Sequence, residues 1–235
     1  MAEHPSIYNT VEIQKDGTVV DFRLATASIT FYEDILAPAV TCKIEVADTG
    51  SSLVFKGDST ATSLYDGLKV RCGELVRVSI APNSKNTSGI DLISKPLYVN
   101  SVRDVLRDKN KEFFTLNLTT RPGFENEYQG VVGLYPKDAR VSDHVQSIIG
   151  DKFPSYANNV DIDQTANTLG FHGNSRKPFQ VLIDLASKST DSTSITKSSG
   201  YLFFQTLEGF KFKSVNGLMS QEPKFSYTYS EAKPE

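Results

Sequence analysis

The sequence predicts an α+β chain that is mainly β: an N-terminal β-barrel over residues 1–121, a small helix-containing domain over 122–189, and a loop with the first strands of a second β-barrel over 190–235. Three observations predict it. Apolar and polar residues alternate through most of residues 11–119, and no helical period interrupts them. After Arg121, Pro122 and Gly123 the apolar spacing changes from a period of about 2 to one of about 3.6. Alternation resumes at Tyr201, beyond a polar stretch.

Taken in order, Val20, Phe22 and Leu24 alternate with Asp21 and Arg23, as in a strand with one buried face. From Ala27 the apolar set shifts phase to Ala27, Ile29 and Phe31, so a bulge or corner is expected near Ala25 and Thr26, of the kind that bends a sheet into a barrel. Val40, Cys42, Ile44 and Val46 form the next inward face, ended by the turn formers Asp48, Thr49 and Gly50. Val76, Val78 and Ile80 repeat the pattern up to Pro82 and Asn83. Two further strands cover 92–106 and 111–119, the second with Phe114, Leu116 and Leu118 on one face. Many strands without helices between them argue for a barrel or sandwich over a parallel sheet.

In the middle section Ser142 reads as the N-cap of a short helix, with Val145, Ile148 and Ile149 on one stripe and Gly150 as its stop. Pro178 opens a second helix whose stripe is Phe179, Leu182, Ile183 and Ala186. Residues 187–199, almost wholly Ser, Thr, Lys and Asp, read as a surface loop. A hairpin follows, with strands over 201–206 and 210–213 around Glu208 and Gly209, and Phe225, Tyr227 and Tyr229 alternate in one more strand.

The 235 residues are 39% hydrophobic and 23% charged, enough for a core that needs neither disulfide nor structural metal. The net charge of -3 supplies no basic field to hold nucleic acid by counterion release, so no specific nucleic-acid binding is expected. No run of about 18 apolar residues and no signal-peptide pattern occur, so no stable membrane insertion is expected, and folding in the cytoplasm is. Cys42 and Cys72 read as small core hydrophobes.

Catalytic chemistry finds little support. His4, His144 and His172 lack metal-site spacing, and no HExxH, GxSxG, GxxxxGK[ST] or strand-following GxGxxG occurs. His144 reads as a surface residue, and His172, in LGFHGN, is the one histidine in a pocket-like setting. Asp161 and Asp163 resemble the opening of a calcium loop, but the glycine and glutamate that should follow are missing, which leaves a solvated loop. No catalytic, cofactor-binding or metal-binding residue is assigned, and the chain reads as a non-enzyme.

Five segments carry a resemblance. They are ITFYEDILAPAVTCKIEVADTGSSLV; LYDGLKVRCGELVRVSI, with Gly67, Leu68, Gly73 and Glu74 ahead of Val76 and Val78; FFTLNLTT; VSDHVQSII; and RKPFQVLIDLASKS leading into SGYLFFQTLEGFKFKSV, with Pro178, Phe179, Gly209 and Phe210. In this order the set resembles the baseplate hub protein of contractile-tailed bacteriophages, a family related to the N-terminal part of type VI secretion spike proteins. The resemblance implies a tube-like first barrel and two pseudo-equivalent barrels per subunit. It further implies a homotrimeric ring that links tail tube or tube-initiator proteins to the central spike protein, touches other baseplate proteins and leaves a channel for DNA. Such a subunit needs no cofactor; it is assembled in the host cytoplasm and resides in the tail baseplate of the virion. This sequence departs from the pattern in one respect, because residues 200–235 are too few to close a second barrel. Tyr201, Phe203 and Phe204 read either as core of that barrel or as contacts to a neighbouring subunit. An all-β carbohydrate-binding or host-recognition module is the alternative, supported by 10 Tyr and 14 Phe and opposed by the absence of Trp. A cell-wall hydrolase of the tail tip is a third.

Overall fold

The computed structural model describes residues 7–49, 53–56, 63–65, 67–82, 89–109, 111–192, 200–223, 226 and 228. The chain opens with a hairpin of β1 (Ile7–Lys15) and β2 (Thr18–Asp21), turned by Asp16 and Gly17 at φ 47° and 82°. Two successive positive φ values give the turn a twist that matches the strands it joins. A 3₁₀ turn over Arg23–Ala25 leads into β3 (Thr26–Tyr32), followed by β4 (Thr41–Asp48), β5 (Val54–Lys56), β6 (Leu75–Ala81), β7 (Ile90–Asp91), β8 (Leu97–Asp108) and β9 (Lys111–Thr119). The order across the sheet is β3-β4-β9-β8-β6-β1-β2-β5, with β7 beside β6, and neighbours pair antiparallel.

That order forces the sheet to roll up. In a flat sheet β3 and β2 would lie six strand spacings apart, roughly 29 Å at about 4.8 Å each. The chain from Asp21 to Thr26 spans at most about 18 Å, and less where it is coiled as 3₁₀. The two ends of the sheet are therefore drawn together around one core, in which Ile13, Val20, Phe22, Ile44, Val76, Leu97 and Leu116 are fully buried. The expected corner near Ala25 and Thr26 is made by the 3₁₀ turn and a register shift between Thr26 and Ser28. Because the strand ends at Asp21, Leu24 does not continue the buried face of Val20 and Phe22 and is 80% exposed. The strand expected from residue 92 starts at Leu97, just after Pro96, which has no N–H to give to a ladder.

Beyond β9 come α1 (Arg121–Glu125), β10 (Leu134–Tyr135), α2 (Val141–Lys152), β11 (Val160–Ile162), β12 (Phe171–His172), α3 (Pro178–Ser187), β13 (Tyr201–Gln205), β14 (Phe210–Ser214) and α4 (Val215–Met219). β10 and β12 form a ribbon; β14 lies between β13, antiparallel to it, and β11, parallel to it. The expected hairpin of β13 and β14 is thus part of a three-stranded sheet. On one of its faces Phe203, Phe210 and Phe212 meet Ile148 and Ile149 of α2 and Phe179, Leu182 and Leu185 of α3 in a second core.

Several elements differ locally from the sequence expectation. Ser142 lies inside α2, whose N-cap is Arg140; it is buried, and its backbone N–H donates to Thr165 Oγ1 (3.1 Å). Gly150 does not stop α2, which runs to Lys152. In α3 Ile183 is 45% exposed, while Val181 and Leu185 are buried. Phe179, Leu182 and Ala186 of the expected stripe are buried, but the helix packs against both α2 and β13, so its buried face is centred to one side of that stripe, taking in Val181 and Leu185 and leaving Ile183 out. Within 187–192 Ser189 and Asp191 are buried, because Thr165 bridges to Asp191 and Ser189 Oγ donates to the Leu185 carbonyl (2.8 Å). Residues 193–199 and the alternating Phe225, Tyr227 and Tyr229 lie outside the described residues. Cys42 is buried in the barrel, but Cys72 is exposed, in the loop ahead of β6. Among the described residues no helix is long and apolar enough to cross a membrane.

Candidate functional site

The motif residues occupy two places that α1 connects. In the loop ahead of β6, the Gly67 N–H donates to Ser63 Oγ (2.9 Å), and Leu68 is buried in the barrel core. Gly73 has φ +90°, donates to the Val99 carbonyl (2.7 Å), and lies where a Cβ would sit 3.4 Å from the Phe124 ring. Glu74 is buried, and its Oε1 accepts from the Arg71 N–H (2.9 Å) and Lys15 Nζ (3.0 Å). Its carbonyl takes the Val99 N–H in return (2.9 Å), so Gly73 and Glu74 clip this loop onto β8.

Phe124 of α1 stacks on Tyr98 of β8, with ring centroids 6.0 Å apart. Two residues on, Asn126 is buried and its Oδ1 accepts the Phe179 N–H (2.9 Å), at the start of α3. Pro178 is the first residue of that helix, where a missing N–H costs nothing. Phe179 then meets Phe153, Phe203 and Phe210. Gly209, at φ +155°, holds the β13–β14 turn against Asn159, whose carbonyl oxygen would be 1.9 Å from a Cβ and accepts the Phe210 N–H (3.0 Å). Tyr201, Phe203 and Phe204 are all buried within this chain; Tyr201 and Phe203 contact Phe212 and Phe210, and Phe204 lies on the opposite face of the sheet.

The hairpin turn of the second core rests directly on the barrel. Gln205, 2% exposed, accepts through Oε1 from the Val40 N–H (3.2 Å) and Thr120 Oγ1 (2.7 Å). Leu207 packs on the barrel core, its N–H donates to Glu33 Oε1, and its carbonyl accepts from Lys95 Nζ (2.7 Å). Ala39 packs against the second core from the barrel side. Sequence reasoning missed Gln205, yet it had a signal: it is a polar residue on the inward phase of Tyr201 and Phe203. Asn126 and Glu33 had none, since their partners are 53 and 174 residues away.

Other candidates resolve differently from the sequence expectation. His144 is buried, not on the surface, because α2 turns it under the β10–β12 ribbon. Its Nε2 lies 2.9 Å from the Leu169 carbonyl and 3.1 Å from that of Pro136, so it is the protonated nitrogen and donates to both; Tyr135 and Phe171 flank its ring edge-on. His172 is exposed. Asp161 and Asp163 are not a solvated loop: Lys213 Nζ bridges both carboxylates, and Asp163 Oδ2 accepts the Ser214 N–H (3.0 Å). Burial opposes the ionisation of Asp161, but Lys213 and Lys211 outweigh it and hold the carboxyl below its usual range. Among the described residues no three His, Cys, Asp or Glu side chains come together as a metal requires.

No family model matches the chain, and no curated protein matches it. Among solved structures, it is similar to the tail protein from Neisseria meningitidis MC58, at 12% identity and a TM-score of 0.49, over 86% of this chain and 50% of that one. It is also similar to the prophage MuSo2 43 kDa tail protein from Shewanella oneidensis, at 11% identity and a TM-score of 0.49, over 86% of this chain and 52% of that one. The chain spans about half the length of each.

Proposed function

We propose that this chain is a structural, non-enzymatic subunit of a bacteriophage tail and, within it, the baseplate hub. In this reading three copies form a ring that joins the tail tube to the central spike and leaves a channel for DNA. The observation that carries it is the ordered set of five hub-like segments. Their marked residues have structural duties, from the Gly73–Glu74 clip on β8 to the Pro178–Phe179 start of α3 and the Gly209–Phe210 turn against Asn159. These duties lie in the framework and in the seam between its two cores, which suits a subunit that transmits position and performs no chemistry.

The experiment is the native mass and ring symmetry of the purified protein, by light scattering and electron-microscope class averages. A threefold ring with a central hole is the expected result. A ring of another symmetry, or a chain that stays monomeric when tube and spike proteins are supplied, overturns the hub assignment.

A further inference from the structure

Where the barrel meets the second core lies a cleft of about 270 Å³, lined by Lys95, Tyr98, Arg121, Ser155, Tyr156 and Asn159 together with Ser94 and Pro96. Its chemistry is one-sided. Two cations and several neutral hydrogen-bond donors face it, and no carboxylate lines it. Lys95 Nζ spends one proton on the Leu207 carbonyl, which leaves two for a ligand. Arg121 gives its Nε–H to Glu125 Oε1 (2.8 Å), which leaves both terminal amino groups. Tyr156, half-buried, has its phenol pushed up by burial above all, so it stays protonated and able to donate.

We infer that this cleft is an oxyanion site, which takes a carboxylate or phosphate group between Arg121, Lys95 and the phenols of Tyr98 and Tyr156. A planar guanidinium beside an ammonium, with phenol donors on the flanks, is the arrangement that recognises such a group. The lining comes from both sides of the seam: Lys95 and Tyr98 from the barrel, Ser155, Tyr156 and Asn159 from the connection between α2 and β11. An anion seated there would hold the two cores together. The inference does not rest on the hub reading, since a monomer has the whole cleft.

The test is titration of the intact chain with inorganic phosphate and, separately, with a tetraglutamate peptide, followed by amide chemical shifts. Saturable shifts confined to residues 94–98, 121 and 155–159 are expected, weakened about tenfold by Lys95→Gln and by Arg121→Gln. Lys95 is exposed, so its variant reports on binding even if loss of the Arg121–Glu125 pair unsettles the fold. Response to phosphate alone identifies a free oxyanion as the occupant; response to the peptide identifies an acidic side chain of a partner. No saturation by either up to about 10 mM, or binding that both variants leave unchanged, overturns the site.

Discussion

Single residues in this chain owe their properties to where the fold puts them. The two cysteines are the plainest case. Burial inside the barrel pushes the Cys42 thiol up to about 12, whereas Cys72 is exposed and its Sγ lies 3.2 Å from the Asn100 carbonyl. Reactivity follows thiolate fraction and access, so a thiol reagent at mildly alkaline pH is expected to label Cys72 quickly and Cys42 only after unfolding. Mass mapping of the labelled peptides checks this, and equal labelling rates would contradict the burial. Both residues looked alike in the sequence, because each is a small apolar residue in a β-rich stretch; only Cys42 sits on an inward phase whose neighbours Ile44 and Val46 are also buried.

At the scale of elements, turns and helices were legible to different degrees. The β1–β2 and β13–β14 hairpins both turn through a glycine with positive φ, but their surroundings differ. A Cβ on Gly17 meets nothing within 4 Å, while one on Gly209 runs into the Asn159 carbonyl at 1.9 Å. Gly17→Ala is therefore expected to cost about 1 kcal/mol, the strain of the backbone alone, and Gly209→Ala about 3 kcal/mol, since the β11 side of the sheet must also move. Urea denaturation midpoints compare the two, and equal shifts would show that the close approach at Asn159 is relieved freely. The helices are visible as stripes, and Val145, Ile148 and Ile149 of α2 and Phe179, Leu182 and Ala186 of α3 are buried as their spacing indicates; what the spacing does not show is the full face of α3, which is wedged between α2 and β13, buries Val181 and Leu185 as well and leaves Ile183 out. Spacing counts apolar positions and is blind to the number of neighbours a helix will have.

For the whole molecule, two hydrophobic cores meet across a polar seam. Gln205 is its centre, since it satisfies the Val40 N–H and the Thr120 hydroxyl in a place closed to water. Gln205→Leu removes the acceptor and leaves those donors buried, at an expected cost of about 1–3 kcal/mol. Calorimetry checks it. A variant as stable as the parent would mean that water enters the seam and takes over the two bonds.

The sequence by itself determined that the first half folds as strands with one buried face, that helices follow Pro122, and that an aromatic hairpin follows the helices. These are local properties, written in periods of about 2 and about 3.6 and in the backbone demands of Gly and Pro. Only the tertiary structure decided the strand order, the roll of the sheet, the pairing of Asp161 with Lys213 and the seam through Gln205. Each of these joins residues far apart in the chain. Alternation fixes which face of a strand is apolar, but it carries no information about which distant strand will lie beside it.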